Sequence, residues 1–238
     1  MATASPARST GVPPAPGRGL LGPRRPRHRV DLGAASATLP LGDDGLPLGV
    51  DPTGEPVRCG LFRDGPLDLV VLGGRWLTQV LILRAVALGA RVVVETGRPR
   101  DWHGLDRAAV SVQSVGRLGE QDASAARPVL VVLDRGARPG RHRPAALPWQ
   151  ITLTLLPFLA PDAEHLPAGA DLVALQRLSP AEAAAAGCAL GLPAADVQAL
   201  PRLGEDQALW DAGGHRCLVR TVATATERQL LGPARRLD

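Results

Sequence analysis

Lysine and tyrosine are missing from this 238-residue chain, and aromatic side chains make up only 3% of it. All 27 basic residues are therefore arginine. The absence of lysine excludes Schiff-base chemistry, a pyridoxal anchor and the phosphate-binding lysine of a Walker A loop. A high-GC genome, whose codons favour Arg, Ala, Gly and Pro, accounts for the bias. Core volume must come from Leu, Val and Ala, and the apolar content of 45% is enough to build one. Cysteine is scarce as well: Cys59, Cys188 and Cys217 lie far apart and form no CxxC pair. A zinc or disulfide framework is not expected, and a reducing, cytoplasmic setting is. No apolar leader is visible at the start. The most apolar stretch, Leu67–Val94, carries Arg75, Arg84 and Arg91, too many charges for a lone membrane span.

The net charge of +4 conceals an asymmetry. Residues 1–30 hold six arginines and no acid, and the remainder holds 21 arginines against 23 acids, or −2. A nucleic-acid-binding body would be basic, so the core is not expected to bind nucleic acid. The Pro/Gly/Arg-rich tail can touch anionic lipid or nucleic acid, or serve only as a solvated leader. The expected organisation is a tail over 1–30, a lead-in β-hairpin region over 31–62 and a core domain over 63–238.

The core alternates strand and helix signals. Leu67–Leu72 is a continuous aliphatic run, stopped by Gly73-Gly74. Apolar residues from Trp76 to Leu88 then follow helical spacing, with Gly89 as a stop and Arg91–Glu95 as the next strand. This is a βαβ unit with a parallel strand pair. Residues 101–109 read as a helix and Val110–Val112 as a short strand. Pro128–Asp134 and Asp171–Gln176 are interior strands. Residues 149–159 are apolar throughout, but Pro157 and Pro161 limit a helix there. Ser179-Pro180-Ala181-Glu182 is a capping box opening an Ala-rich helix. A short helix near 194–200, a hairpin across Gly213-Gly214 and a last helix over 226–230 complete the chain. The fold class is α/β: a mostly parallel sheet covered by helices on both faces, with a terminal β-hairpin.

Five phrases occur in a telling order: LGVDPTGEPVRCGL at 48–61, LDLVVLGG at 67–74, PVLVVLD at 128–134, DLVALQRLSPAEAAAAGCALGL at 171–192, and GEDQALWDAGGHRCLVRTVATATERQLLG at 204–232. The series resembles the RecA-like P-loop core of the FtsK/HerA superfamily, which includes actinobacterial type VII secretion and conjugative coupling ATPases. The resemblance runs over about residues 46–232. It implies a lead-in hairpin, a Walker A strand at 67–72, a Walker B strand ending at Asp134, a sensor strand ending at Gln176 and a closing hairpin.

The departures are concentrated where the chemistry would be. A Walker A loop needs G-x-x-x-x-G-K-S/T, so that backbone N–H groups wrap the phosphates and Ser or Thr holds Mg²⁺. Here Gly73-Gly74 runs directly into Arg75, Trp76 and Leu77. Asp134 is followed by Arg135-Gly136 instead of a second acid. Gly73, Gly74, Arg75, Asp134 and Gln176 are thus vestigial nucleotide-site positions. Each also has a plain reading: a tight βα turn, a strand-end cap, a polar strand end. No catalytic residue, metal or cofactor is expected.

The histidines form no metal-ligand spacing, and no nucleophile elbow or Gly-x-Gly-x-x-Gly is present. Arg135, Arg138, Arg141 and Arg143 in a Pro/Gly-rich loop, with Trp149 nearby, form a candidate interaction surface, or a solvated loop. Exposure of Trp102 or Trp149 would strengthen the interaction reading. The expected function is a non-catalytic, ATPase-like scaffold or adaptor. Its expected partner is an active ATPase of that superfamily or a secretion component. The alternatives are a nucleotide-binding sensor using Arg75, an enzyme of unknown chemistry, or a weak nucleic-acid or membrane-surface binder acting through the tail.

Overall fold

The computed structural model describes residues 45–105, 109–137 and 143–235. The basic tail, together with Arg138 and Arg141, lies outside the described residues.

Ten strands form one sheet, and its middle is set by the most aliphatic segments. They are β1 (Leu46–Val50), β2 (Pro56–Cys59), β3 (Leu67–Leu72), β4 (Arg91–Thr96), β5 (Val110–Ser114), β6 (Val129–Asp134), β7 (Gln150–Leu156), β8 (Leu172–Leu175), β9 (Gln207–Ala212) and β10 (His215–Arg220). Their spatial order is β2-β1-β10-β9-β8-β3-β7-β6-β4-β5. The run from β8 to β5 is parallel throughout, and β9, β10, β1 and β2 continue it antiparallel.

The helices are α1 (Arg75–Ala87), α2 (His165–Ala168), α3 (Pro180–Leu190), α4 (Ala194–Ala199) and α5 (Ala225–Leu231). β3 lies between β7 and β8, with Leu69–Leu72 in register with Leu153–Leu156 and Leu172–Leu175. Its side chains alternate between two apolar clusters, as a period of two demands. Leu69 and Val71 join Trp76, Leu77, Val80 and Leu81 of α1. Val70 and Leu72 join Ala183 and Ala186 of α3. Burying each large aliphatic side chain stabilises the fold by roughly 1.5–3 kcal/mol. A third, smaller cluster lies on alternate residues of β6, where Val129, Val131 and Leu133 meet Leu118 and Ala123 of an irregular segment rather than a helix.

Two expectations change. Residues 149–159 hold β7, a fully buried strand of the parallel run. The prolines that argue against a helix stand just beyond the strand and leave its ladder intact. Of the segment expected as a helix over 101–109, residues 101–105 lie in a 3-10 turn, Pro99–Leu105, and residues 106–108 lie outside the described residues. Elsewhere local chemistry acts as written. Ser179 and Glu182 exchange the two hydrogen bonds of the capping box, and Gly191 ends α3 in the left-handed conformation. Glu182 also accepts the Leu159 N–H (3.1 Å), fixing the exit of β7 to the start of α3.

One buried ion pair ties three distant segments together. Arg84 of α1 donates to both carboxylate oxygens of Glu227 in α5 (2.7 and 3.1 Å). It also donates to the carbonyls of Pro47, Leu48 and Val222 (2.8, 3.0 and 2.9 Å). Burial pushes the Glu227 carboxyl up, but the hydrogen bonds and charge of Arg84, with those from Thr224, outweigh it. Its pKa lies below the ordinary carboxylate value.

Candidate functional site

Gly73, Gly74, Arg75, Asp134 and Gln176 all stand at or just beyond the ends of parallel strands. β3 stops at Leu72, and the chain turns through Gly73-Gly74 into α1. Gly73 N–H donates to the Leu156 carbonyl at the end of β7 (2.9 Å), and Gln176 N–H donates to the Leu72 carbonyl (3.0 Å). The turn is therefore held between both neighbouring strands.

Gln176, at the end of β8, reaches over that turn. Its Oε1 accepts the Gly74 N–H at 2.8 Å, and its Nε2 donates to the Glu205 carbonyl at 3.4 Å. A Cβ added at Gly73 would stand 2.2 Å from Gln176 Oε1 and 2.8 Å from its Cβ. Glycine is needed at position 73 because the glutamine side chain packs on its backbone. A carboxamide oxygen thus sits at the first donor of α1, where a phosphate loop would offer its N–H groups to an anion.

Arg75 does not point to open space. Its Nη1 lies 2.7 Å from Asp101 Oδ2. Asp101 Oδ2 is also 3.7 Å from Nε of Arg98, whose Nη2 is 2.7 Å from Asp134 Oδ1. A chain of alternating charges, Arg75–Asp101–Arg98–Asp134, runs from the start of α1 to the end of β6. The other oxygen of Asp134 accepts from the Thr96 hydroxyl (2.7 Å) and the Trp102 indole N–H (2.9 Å). The pairing of β4 with β6 places Thr96 beside Asp134. Three donors hold a carboxylate that has no exposed surface.

The arginine-loop residues separate. Arg135 turns inward and pairs with buried Glu95 of β4. Arg143 lies near the beginning of β3, 3.3 Å from Asp68. Trp149, partly exposed, has a positive φ of 61°. Its N–H donates to the Arg63 carbonyl, and its carbonyl accepts from Val129 N–H. Trp102 is fully buried against Asp134, so its aromatic surface is not available to a partner. Arg98, Asp101, Thr96, Trp102 and Glu95 were not legible as site residues. Their one sequence signal is the polar pair Glu95-Thr96 closing the run RVVVET, which marks a strand end without naming its neighbours.

Among the described residues, no group of three or more His, Cys, Asp or Glu could hold a metal ion. Cys59 is buried, and burial pushes its thiol pKa up to about 12, so it carries no thiolate nucleophile near neutral pH. An open apolar hollow of about 500 Å³ lies beside the strand ends, lined by Ala137, Phe158, Leu159, Ala160 and Pro161. Among the described residues, no helix is long and apolar enough to cross a membrane.

No family model and no curated protein matches the chain. Among solved structures, the chain has a distant likeness to the cytoplasmic domain of the type VII secretion ATPase EccC of Thermomonospora curvata, at 14% identity and a TM-score of 0.49. The match covers 81% of this chain and 31% of that one, so it spans under a third of the solved chain.

Proposed function

We propose that the chain is a non-catalytic domain built on a RecA-like plan, which acts as a scaffold or adaptor for an active ATPase of the FtsK/HerA kind. The observation that carries this reading is the filled site. Gln176 occupies the α1 terminus, Arg75 is engaged by Asp101, and Asp134 is saturated by Thr96, Trp102 and Arg98. Phosphoryl transfer rests on a phosphate cradle and a metal-holding acid that can face the substrate, and here both sets of groups are spent within the fold. The wiring supports the same plan. One strand, β7, separates β3 from β6, and β8 flanks β3 on its other side. The two apolar clusters on alternate residues of β3 support helices on either face.

A nucleotide sensor would need Arg75 to leave Asp101 and Gln176 to leave Gly74, and nothing in the packing favours that. The scaffold reading draws its partner class from the sequence resemblance. The test is co-purification of the full chain with a purified superfamily ATPase from the same cells. Saturable association is expected. Recovery no greater than with an unrelated α/β domain contradicts the reading.

A further inference from the structure

β5 closes the parallel end of the sheet; among the described residues it pairs with β4 alone. Its other side is a row of main-chain donors and acceptors. The Ala109 carbonyl accepts Val92 N–H at 2.8 Å, which sets the phase of the ladder. Odd-numbered residues of β5 direct their N–H and C=O groups to β4, and Val110 and Val112 direct theirs outward, as does the Ser114 N–H, while the Ser114 carbonyl accepts the Arg117 N–H (3.1 Å). An open edge is a template for another strand, and natural edges are commonly blunted by proline or charge. The opposite edge, β2, carries Pro56 and Arg58. β5 reads VSVQS, with neither. Ser111 and Ser114 are exposed, and Val112 and Gln113 are partly so.

We propose that two copies of this chain join at β5, strand against strand, antiparallel about a two-fold axis. Outward residues pair only with outward residues. The centred register therefore sets Val112 against Val112 of the partner subunit and Val110 against Ser114 of the partner subunit. Every outward N–H of β5 then has an acceptor, the Ser114 carbonyl taking a second hydrogen bond beside that from Arg117. The residues between meet as the closer, non-hydrogen-bonded pair. Ser111 faces Gln113 of the partner subunit, twice by symmetry, and a hydroxyl can donate to a carboxamide or accept from it.

The chain alone leaves this polar pair open. Gln113 Oε1 is buried without a hydrogen-bond partner, and so is Oε2 of Glu95, the residue in register with it on β4. A half-turn of the amide sets Nε2 on Glu95 and presents Oε1 to the incoming serine. The self-complementarity of the strand selects a second copy over a foreign peptide, because an isologous contact needs a patch that fits itself.

Sedimentation of the full chain over a concentration series, under reductant so that exposed Cys188 cannot link copies, should reveal a monomer–dimer equilibrium. Ser114→Pro removes an outward N–H, and Ser111→Lys replaces the hydroxyl that meets Gln113. Each should weaken dimerisation by about tenfold or more, with circular dichroism unchanged and with the melting temperature unchanged when measured at dilutions where the chain is monomeric. Arg58→Ala, at the other edge, should leave it unaltered. A chain that stays monomeric at every concentration overturns the proposal. So does a dimer indifferent to both β5 variants, or one dissolved by Arg58→Ala.

Discussion

Asp134 and Glu227 are both buried carboxylates held by an arginine, yet their surroundings differ. The Arg84 side chain on Glu227 is 8% exposed and also bonds three carbonyls of other segments. The Arg98 side chain on Asp134 is 47% exposed and sits on a loop. The first pair is a clamp between α1, β1 and α5. The second is a local closure at the strand ends. Global stability should therefore depend on the clamp, and the electrostatics of the candidate site on the closure.

The comparison breaks most visibly at Arg84. Arg84→Ala strands a buried carboxylate and should cost about 3–5 kcal/mol, read as a lowered urea midpoint. A loss like that of a surface arginine would erase the distinction. Gly73→Ala forces a methyl against Gln176 and should cost roughly 1–3 kcal/mol. Gly73→Ala combined with Gln176→Ala should recover much of that loss if the glutamine is what crowds position 73. Trp102→Phe removes one of the three donors to Asp134 and leaves a small cavity where the indole packed, and about 1–2 kcal/mol is expected.

The smallest effect concerns pH. The Glu227 pKa is depressed in the folded state, so its contribution to stability is fully present above the unfolded value, about 4.3, and is lost as pH falls through the folded value. The acid limb of a stability–pH profile should accordingly flatten in Arg84→Ala. An unchanged acid limb would mean that Glu227 does not report on the clamp.

Much of the sheet was legible because β3, β4, β6 and β8 are aliphatic runs closed by glycine or a polar residue. β7 was not, since alternating threonines and two nearby prolines hide a buried strand. Its place between β3 and β6 lets Thr152 and Thr154 be buried at little exposed cost. The sequence singles out Gly73, Arg75, Asp134 and Gln176, but not the contacts that engage them. That Thr96 meets Asp134 depends on which strands are neighbours, and that Gln176 caps Gly74 depends on β8 lying beside β3. Residues 102 apart in sequence leave no local trace of such contacts.

The proposed scaffold role rests on the chain's own side chains filling the place a nucleotide would take. Titration calorimetry of the full chain with ATP and Mg²⁺ tests it most directly. No saturable heat is predicted. A one-to-one binding isotherm, abolished by Arg75→Ala, would contradict it.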